Sequence, residues 1–373
     1  MTGKKLVRVI GARPQIMQVK PLQLALKNAG FEVDLLHTGQ HYSASLSDDF
    51  FKILDIEPPR FNLEVGSGPH GKMTGRILDK FEEFLLANRY DGVVVDGDTN
   101  STLGGALAAV KLGIPVFHVE AGTRDLDRRR PEEINRIATD HIASLNFAPI
   151  RSAMENLKKE ALAGVSFLTG DVLLDNFLMF ESKIQAQSYI KQPYNLLTLH
   201  RPENTDLANF SRFASVVRFL NAQDRPTIFP VHPRSKPVLD KLKAVEKLEN
   251  IITVPPQDYF HFLGLIRDAS LVLTDSGGVP RESAWQGKRC IMVFKKMTWI
   301  DLVEAGLLEI LLSEKQDLTA ELGALYNSTT SSQPNKSQAR EIFGNGKASS
   351  EIAKHISNFF SLEVRHGNTS RPV

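Results

Sequence analysis

One cysteine, Cys290, stands in 373 residues, so an internal disulfide framework is excluded and the chain suits a reducing compartment. Neither sign of charge prevails: 45 Lys and Arg meet 43 Asp and Glu, for a formal net charge of +2. With no basic tail or stripe, an electrostatic nucleic-acid or membrane-surface binder is not expected. Long apolar runs are missing too. The opening MTGKKLVRVIGARP holds only LVRVI before Gly11, too short for a signal-peptide core or a membrane span. A cytoplasmic, soluble protein is the expectation. Hydrophobic content of 42% and charged content of 24% are ordinary for a globular chain, and the length suggests two domains.

Short apolar runs alternate with helical-period segments through nearly all of the chain. Strands are expected at 6–10, 31–39, 92–97 and 115–121, and again at 195–200, 226–232, 251–256, 270–275 and 288–294. ILDKFEEFLLANRY between them has helical spacing, and STLGGALAAVKLG reads as a small-residue helix able to pack closely on a sheet. Such alternation predicts an α/β fold of parallel sheets covered on both faces, with ligands beyond the strands' carboxyl ends. The division is expected between Phe167 and Tyr194. This gives a first domain over 1–170, rejoined by a helix at about 350–365, and a second over 171–349. The polar stretch 327–338 reads as a surface loop, the segment SSEIAKHISNFFSL as an amphipathic helix in need of a partner, and the last residues as frayed.

Chemistry-bearing residues gather at strand ends. Arg13 in GARPQ follows the first strand, where it is either a solvated arginine or a fork for a phosphate or carboxylate. GARP is not the GxGxxG fingerprint, so no dinucleotide cofactor is indicated. Asp98 ends GVVVDGD. It is either a helix cap or, since Thr99 and Asn100 can cap equally well, a free acid. Glu120 closes PVFHVE, an apolar strand where an unpaired carboxylate is costly; it is either functional or paired with Arg124 or Arg136. In PEEINR, Glu132 and Arg136 sit one turn apart, a spacing that an i,i+4 ion pair at a helix start also explains. His200 with Arg201, and His232 with Arg234, repeat a histidine-plus-arginine strand end, suggesting recognition of a polyanion. DSGGVPRES runs a strand into Ser276, Gly277 and Gly278 before a helix with Pro280 near its start. Free backbone N–H groups there suit a phosphate, and Glu282 suits two ribose hydroxyls; a plain tight turn is the other reading.

The motifs GARPQ, TGQHY, GDTNST, HVEAGTR, PEEINR, TLHRPEN, VHPR, DSGG and FGNGKAS, in that order over about residues 8 to 357, resemble the non-hydrolysing UDP-N-acetylglucosamine 2-epimerases. EAGTRDLDRRRPEEINR and the tryptophan of MTWIDLVEAG are more similar to the branch acting on UDP-2,3-diacetamido-2,3-dideoxy-glucuronate. The resemblance implies a glycosyltransferase-B-like fold: two Rossmann-like domains, a site in the cleft between them, and a C-terminal helix crossing back to the first. It implies inversion at sugar C2 without redox cofactor or metal, through loss and re-addition of UDP, in a homodimer serving polysaccharide precursor synthesis. By matching motifs, Asp98, Glu120 and Glu132 become acid/base candidates, with His200 near the leaving diphosphate. Arg13, Arg136, Arg201, His232, Ser276, Gly277, Gly278 and Glu282 become UDP-sugar ligands. A hydrolysing relative that frees UDP and N-acetylmannosamine, a catalytically silent UDP-sugar binder and a glycosyltransferase are the competing functions.

The sequence departs from the family in three places. Gln18 stands where a lysine is usual, five residues after the GxRP arginine. Pro280, Arg281 and Glu282 replace a Gln-Glu-Glu pattern. Phe294, Lys295, Lys296, Met297 and Thr298 replace Arg-Asp-x-Thr-Glu. These changes imply an altered sugar, such as an anionic one, or reduced activity.

Overall fold

Runs of β-branched and aliphatic residues form strands buried on both faces, as parallel sheets flanked by helices require. In the first unit these are β1 (Lys5–Ile10), β2 (Glu32–His37), β3 (Phe61–Asn62), β4 (Gly92–Asp96), β5 (Val116–Val119), β6 (Leu145–Ala148) and β7 (Ser166–Leu168). In the second they are β8 (Asn195–Thr198), β9 (Thr227–Pro230), β10 (Ile251–Val254), β11 (Leu271–Thr274), β12 (Cys290–Met292) and β13 (Glu309–Ile310). The structure is a computed structural model that describes residues 3–40, 51–185, 189–293, 298–328 and 334–366, the side chains of Arg13 and of 363–366 excepted. Residues 294–297, part of the polar loop and most of the expected frayed tail therefore lie outside the described residues.

Packing divides the chain into Met1–Met179 with Ile342–Val373, and Phe180–Glu341. The first sheet has the order β3-β2-β1-β4-β5-β6-β7 and the second β10-β9-β8-β11-β12-β13, with parallel pairing throughout. Both are doubly wound, Rossmann-like sheets. Strand order reverses direction at β1/β4 in one and β8/β11 in the other, where such sheets bind ligands beyond their carboxyl ends.

Helix His70–Ala87 turns Met73, Ile77, Phe81 and Leu85 inward at i,i+4 spacing. The small-residue helix Asn100–Lys111 packs against it: a Cβ on Gly104 would lie 2.7 Å from Ile77 Cγ2. The C-terminal helix Ala348–His366 finds its partner surface in the first unit. There Ile352, Ile356 and Phe360 join Leu22, Leu26 and Phe31 in one core, and the Phe360 and Phe117 rings meet edge-on at 5.7 Å. Its first turn is fastened by Asp175, which accepts from the Ala348 and Ser349 N–H groups at 3.2 and 2.6 Å. Helix Val172–Phe180, which carries Asp175, thus packs with the first unit, whereas the sequence division was drawn at 170/171. Cys290 is buried, and burial pushes its thiol up to about 12. Among the described residues, no helix is long and apolar enough to cross a membrane.

Candidate active site

In the first unit a fully buried ion pair sets the floor. Arg8 on β1 meets Asp96 at the end of β4 through two hydrogen bonds of 2.8 and 2.9 Å. Its remaining nitrogen donates to the carbonyls of Gln18 and Val19, at the junction of helices Arg13–Met17 and Val19–Asn28. That clamp delivers Gln18, 3% exposed, to β5's exit, where its Nε2 donates to Glu120 Oε2 at 3.0 Å. Gln15 fastens the same turn: it accepts from the Gly11 and Ala12 N–H groups and donates to the Asp96 carbonyl at 2.7 Å.

Glu120 follows β5 with φ of 64°, a left-handed conformation that costs a non-glycine residue about 1–3 kcal/mol and clusters at functional sites. Gly97, after β4, has the same φ of 64°. Two residues beyond Glu120, Gly122 packs so tightly that a Cβ would lie 2.4 Å from the Ala153 carbonyl oxygen.

Asp98 is not the helix cap. Thr99 caps Asn100–Lys111, its hydroxyl accepting from the Thr102 N–H at 3.2 Å. The Asp98 carboxylate instead pairs with Arg136, and its carbonyl accepts from Asn135 Nδ2 at 2.9 Å. Burial opposes charge on Arg136, but Asp98 and Glu133 raise its affinity for the proton. Arg136 therefore pairs with Glu133 at i,i+3, 2.9 Å, and with Asp98, rather than with Glu132 at i,i+4. Glu133 also accepts from the Asp125 and Leu126 N–H groups, at 2.9 and 3.0 Å, tying down the loop after β5. Glu132 is exposed in the first turn of helix Pro131–Ile142. Arg124, the other partner weighed for Glu120, engages Asp140 and Glu160.

The structure thus brings Asp98 and Arg136 together and ties Glu120 to Gln18. Arg13 opens its helix, with its side chain outside the described residues. Lys20, two residues past Gln18, reaches Asp55 at 2.6 Å.

In the second unit the strand ends converge on buried Asp275, just past β11. Its carboxylate accepts from the His200 and Arg201 N–H groups, at 3.0 and 2.9 Å, and from Asn204 Nδ2 at 3.0 Å. His200 Nδ1 lies 3.0 Å from Asp275 Oδ1. Arg201 Nε donates to the Asp275 carbonyl at 2.7 Å. Burial pushes the Asp275 carboxyl up, but the His200, Asn204 and Arg201 contacts hold it below the usual range. The His232 ring lies 5.5 Å from that of His200. Ser276, Gly277 and Gly278 form the half-buried turn into helix Val279–Trp285, which carries Glu282 in its first turn. Trp299 braces the turn, its Nε1 donating to the Gly277 carbonyl at 2.8 Å. Arg281 lies 4.2 Å above the Trp299 ring and is buried, so its charge is stacked rather than spread outward.

Sequence reasoning passed over Gln18's partner, Asn135, His118, Asp140 and Asp275, read Glu133 only as a helix-start acid, and used Trp299 only as a mark of likeness. Only Asp275 carried a signal, as a second strand-end aspartate after an apolar run. Among the described residues, no group of three His, Cys, Asp or Glu side chains is placed to hold a metal.

The family described as UDP-N-acetylglucosamine 2-epimerase matches residues 24–357. The chain belongs to the UDP-N-acetylglucosamine 2-epimerase family. It is 37% identical over 361 residues to UDP-2,3-diacetamido-2,3-dideoxy-D-glucuronate 2-epimerase of Pseudomonas aeruginosa, covering 94% of this chain and 99% of that protein. It is 37% identical over 367 residues to UDP-N-acetylglucosamine 2-epimerase of Methanocaldococcus jannaschii, covering 94% and 98%. A crystal structure of the Methanocaldococcus jannaschii UDP-GlcNAc 2-epimerase in complex with UDP-GlcNAc and UDP shares the fold with a TM-score of 0.82 at 35% identity, over 95% of this chain and 99% of that one. The fold of this epimerase-family chain is accordingly of the glycosyltransferase-B-like class, built from two Rossmann-like domains.

Proposed function

We propose that this isomerase inverts C2 of a UDP-N-acetyl-hexosamine or its uronate without net hydrolysis. C2–H is not acidic by itself, so its loss must be coupled to departure of the diphosphate. A carboxylate takes the C2 proton, the C1–O bond to UDP breaks, and a C1=C2 double bond remains in the sugar. UDP then re-forms the C1–O bond while an acid returns a proton to the opposite face of C2. Two faces call for two proton-transfer groups, and Asp98, Glu120 and Glu132 are the candidates. Diphosphate expulsion needs donors already in place, for which His200, Arg201, His232, Arg13 and the Ser276–Gly278 turn are assigned. Glu282 is assigned to the ribose and Arg136 to holding Asp98 against the sugar.

The observation that carries this reading is Glu120: a glutamate in a strained left-handed conformation, at the strand end beside the β1/β4 switch point, oriented by the buried Gln18. Strain kept at a strand end and braced by a buried amide fits a group whose position matters. The departure at Gln18 supports a sugar different from UDP-GlcNAc; likeness to the diacetamido-uronate enzyme, at 37%, is equalled by likeness to a UDP-N-acetylglucosamine enzyme. We further propose a cytoplasmic homodimer supplying polysaccharide precursors; sedimentation velocity of the purified chain checks the dimer.

The test is incubation with UDP-GlcNAc, and separately with the diacetamido-uronate analogue, in heavy water, followed by NMR. Deuterium at C2 with UDP still attached is the expected result with at least one of them. Stoichiometric free UDP and free sugar would identify a hydrolase instead. Saturable binding with no exchange in either would remove the enzymatic reading.

A further inference from the structure

Two residues before Glu120, His118 lies on β5 with no solvent exposure. Its Nδ1 sits 2.7 Å from Asp140 Oδ1, and its Nε2 sits 2.8 Å from the Gly97 carbonyl oxygen. A carbonyl oxygen only accepts, so Nε2 must carry a proton. Asp140 is surrounded by donors as well: its other oxygen accepts from the Gly122 N–H at 3.1 Å and from Arg124 at 2.7 Å. An ionised carboxylate only accepts, so Nδ1 must carry a proton too. A neutral imidazole has one N–H and one lone pair. In either tautomer the fully buried ring would turn that lone pair on an acceptor.

We propose that His118 is a buried imidazolium, a positioning residue whose charge fixes the two strand ends bearing Asp98 and Glu120. The proposal rests on reading those carboxylates as the proton-transfer groups. The charged groups facing the ring are all accounted for by neighbouring elements. Helix Pro131–Ile142 presents Asp140, which is shared with Arg124, itself held by Glu160. The end of β4 presents Asp96, whose charge is taken up by Arg8 of β1. Burial alone would pull the His118 proton off, but Asp140, the Gly97 carbonyl and Asp96 reverse that and raise its affinity above the ordinary histidine value. Burial likewise pushes the Asp140 carboxyl up, and His118 and Arg124 bring it below its ordinary value.

What the cation holds follows from these bonds. The Gly97 carbonyl is pinned by His118 and the next carbonyl, that of Asp98, by Asn135, so the Asp98 backbone is fixed from both sides. Through Asp140, the same cation anchors the Gly122 N–H, two residues past the left-handed Glu120. A raised histidine contributes its stabilisation fully below the unfolded-state value and loses it as pH rises through the folded value. Deprotonation at alkaline pH therefore releases both strand ends together, lowering kcat more than it raises KM.

Two measurements decide this on the full chain. The first is a long-range ¹H–¹⁵N correlation spectrum of histidine-labelled protein from about pH 6 to about pH 10, bracketing an ordinary histidine. His118 is assigned by the resonance missing in His118→Asn. Both ring nitrogens of His118 should be protonated well above neutrality; a single protonated nitrogen at about pH 7 overturns the proposal. The second compares kcat and KM across pH for wild type, His118→Gln and the neutral pair His118→Gln with Asp140→Asn. The folded variants should lose kcat by about 10- to 100-fold, the cost of small misplacements of reacting groups, with KM little changed and the alkaline limb gone. A neutral pair with wild-type kcat and an unaltered pH profile also overturns it. Because the spectrum reads charge without turnover, a wild-type chain inert toward UDP-sugars would sink the proposed activity while a doubly protonated His118 still stood.

Discussion

Adjacent glutamates in PEEINR should separate cleanly into chemistry and scaffold. Glu133 is 1% exposed and accepts three hydrogen bonds, from the Asp125 N–H, the Leu126 N–H and Arg136, whereas Glu132 is exposed. In Glu133→Gln one acceptor oxygen becomes an NH₂ group facing donors, and Arg136 keeps Asp98 as its only carboxylate partner of the two. Removing one side of a buried ion pair costs about 3–5 kcal/mol. Because Asp98 still neutralises Arg136, the lower end applies, about 3 kcal/mol. For a unit of this size each kcal/mol moves Tm by about 2–4 °C, so a fall of roughly 6–12 °C is expected. Glu132→Gln, at an exposed site, should stay within about 0.5 kcal/mol of wild type. It should nevertheless lose C2 exchange by about 100- to 10,000-fold if Glu132 transfers a proton. Calorimetry and the heavy-water exchange assay, run side by side on both variants, read the two effects separately. A Glu133→Gln protein melting with wild type, or a Glu132→Gln protein exchanging at full rate, would refute the division of labour.

Four further outcomes follow from the same geometry. Asp98→Asn removes the carboxylate paired with Arg136 and should abolish C2 exchange, while UDP binding by isothermal titration calorimetry persists. Gln18→Lys places an ammonium on the Glu120 carboxylate, so the acid limb of the kcat–pH profile should move down by about one unit, as a close opposite charge does. Trp299→Phe keeps a ring under Arg281 but deletes the bond to the Gly277 carbonyl; a net loss of about 0.5–1.5 kcal/mol should weaken UDP binding by up to about tenfold. Asp275 and Asp140 are held below the ordinary carboxylate value, so their stabilisation is present above the unfolded value and disappears as pH falls through the folded one. Denaturant titrations below about pH 4 should show this loss, and Asp275→Asn should flatten it in the second unit.

Strands with a long apolar run of their own were legible in the sequence; β6, whose four residues include Asn146, and those made by pairing were not. β3 and β13 are two residues each, and β7 three, at the margins of their sheets, where a neighbour's register rather than a hydrophobic pattern defines them. The strand-end acids were legible for a related reason: a carboxylate directly after a buried run must either be paired or do chemistry. What pairs it was not. Glu132 and Glu133 differ by about 100° around one helix, and only the path of the loop from Thr123 to Arg130 decides which turns inward. His118 and Glu120 show the limit most sharply. They stand two apart in one apolar run, so strand periodicity puts both on the same face. The structure ends β5 at Val119 and gives Glu120 a φ of 64°, so the alternation stops one residue before the carboxylate. His118 stays in the core with Asp140, and Glu120 turns to Gln18. A left-handed glutamate leaves no mark in composition, because that conformation is the signature of glycine or asparagine. It persists because neighbours over-determine it: Gln18, clamped by Arg8, on one side, and Gly122, clamped by Asp140, on the other. The left-handed Glu120 is thus held by contacts that lead back to the buried charges of the first unit, so its surroundings, rather than its own identity, support its proposed place in the chemistry.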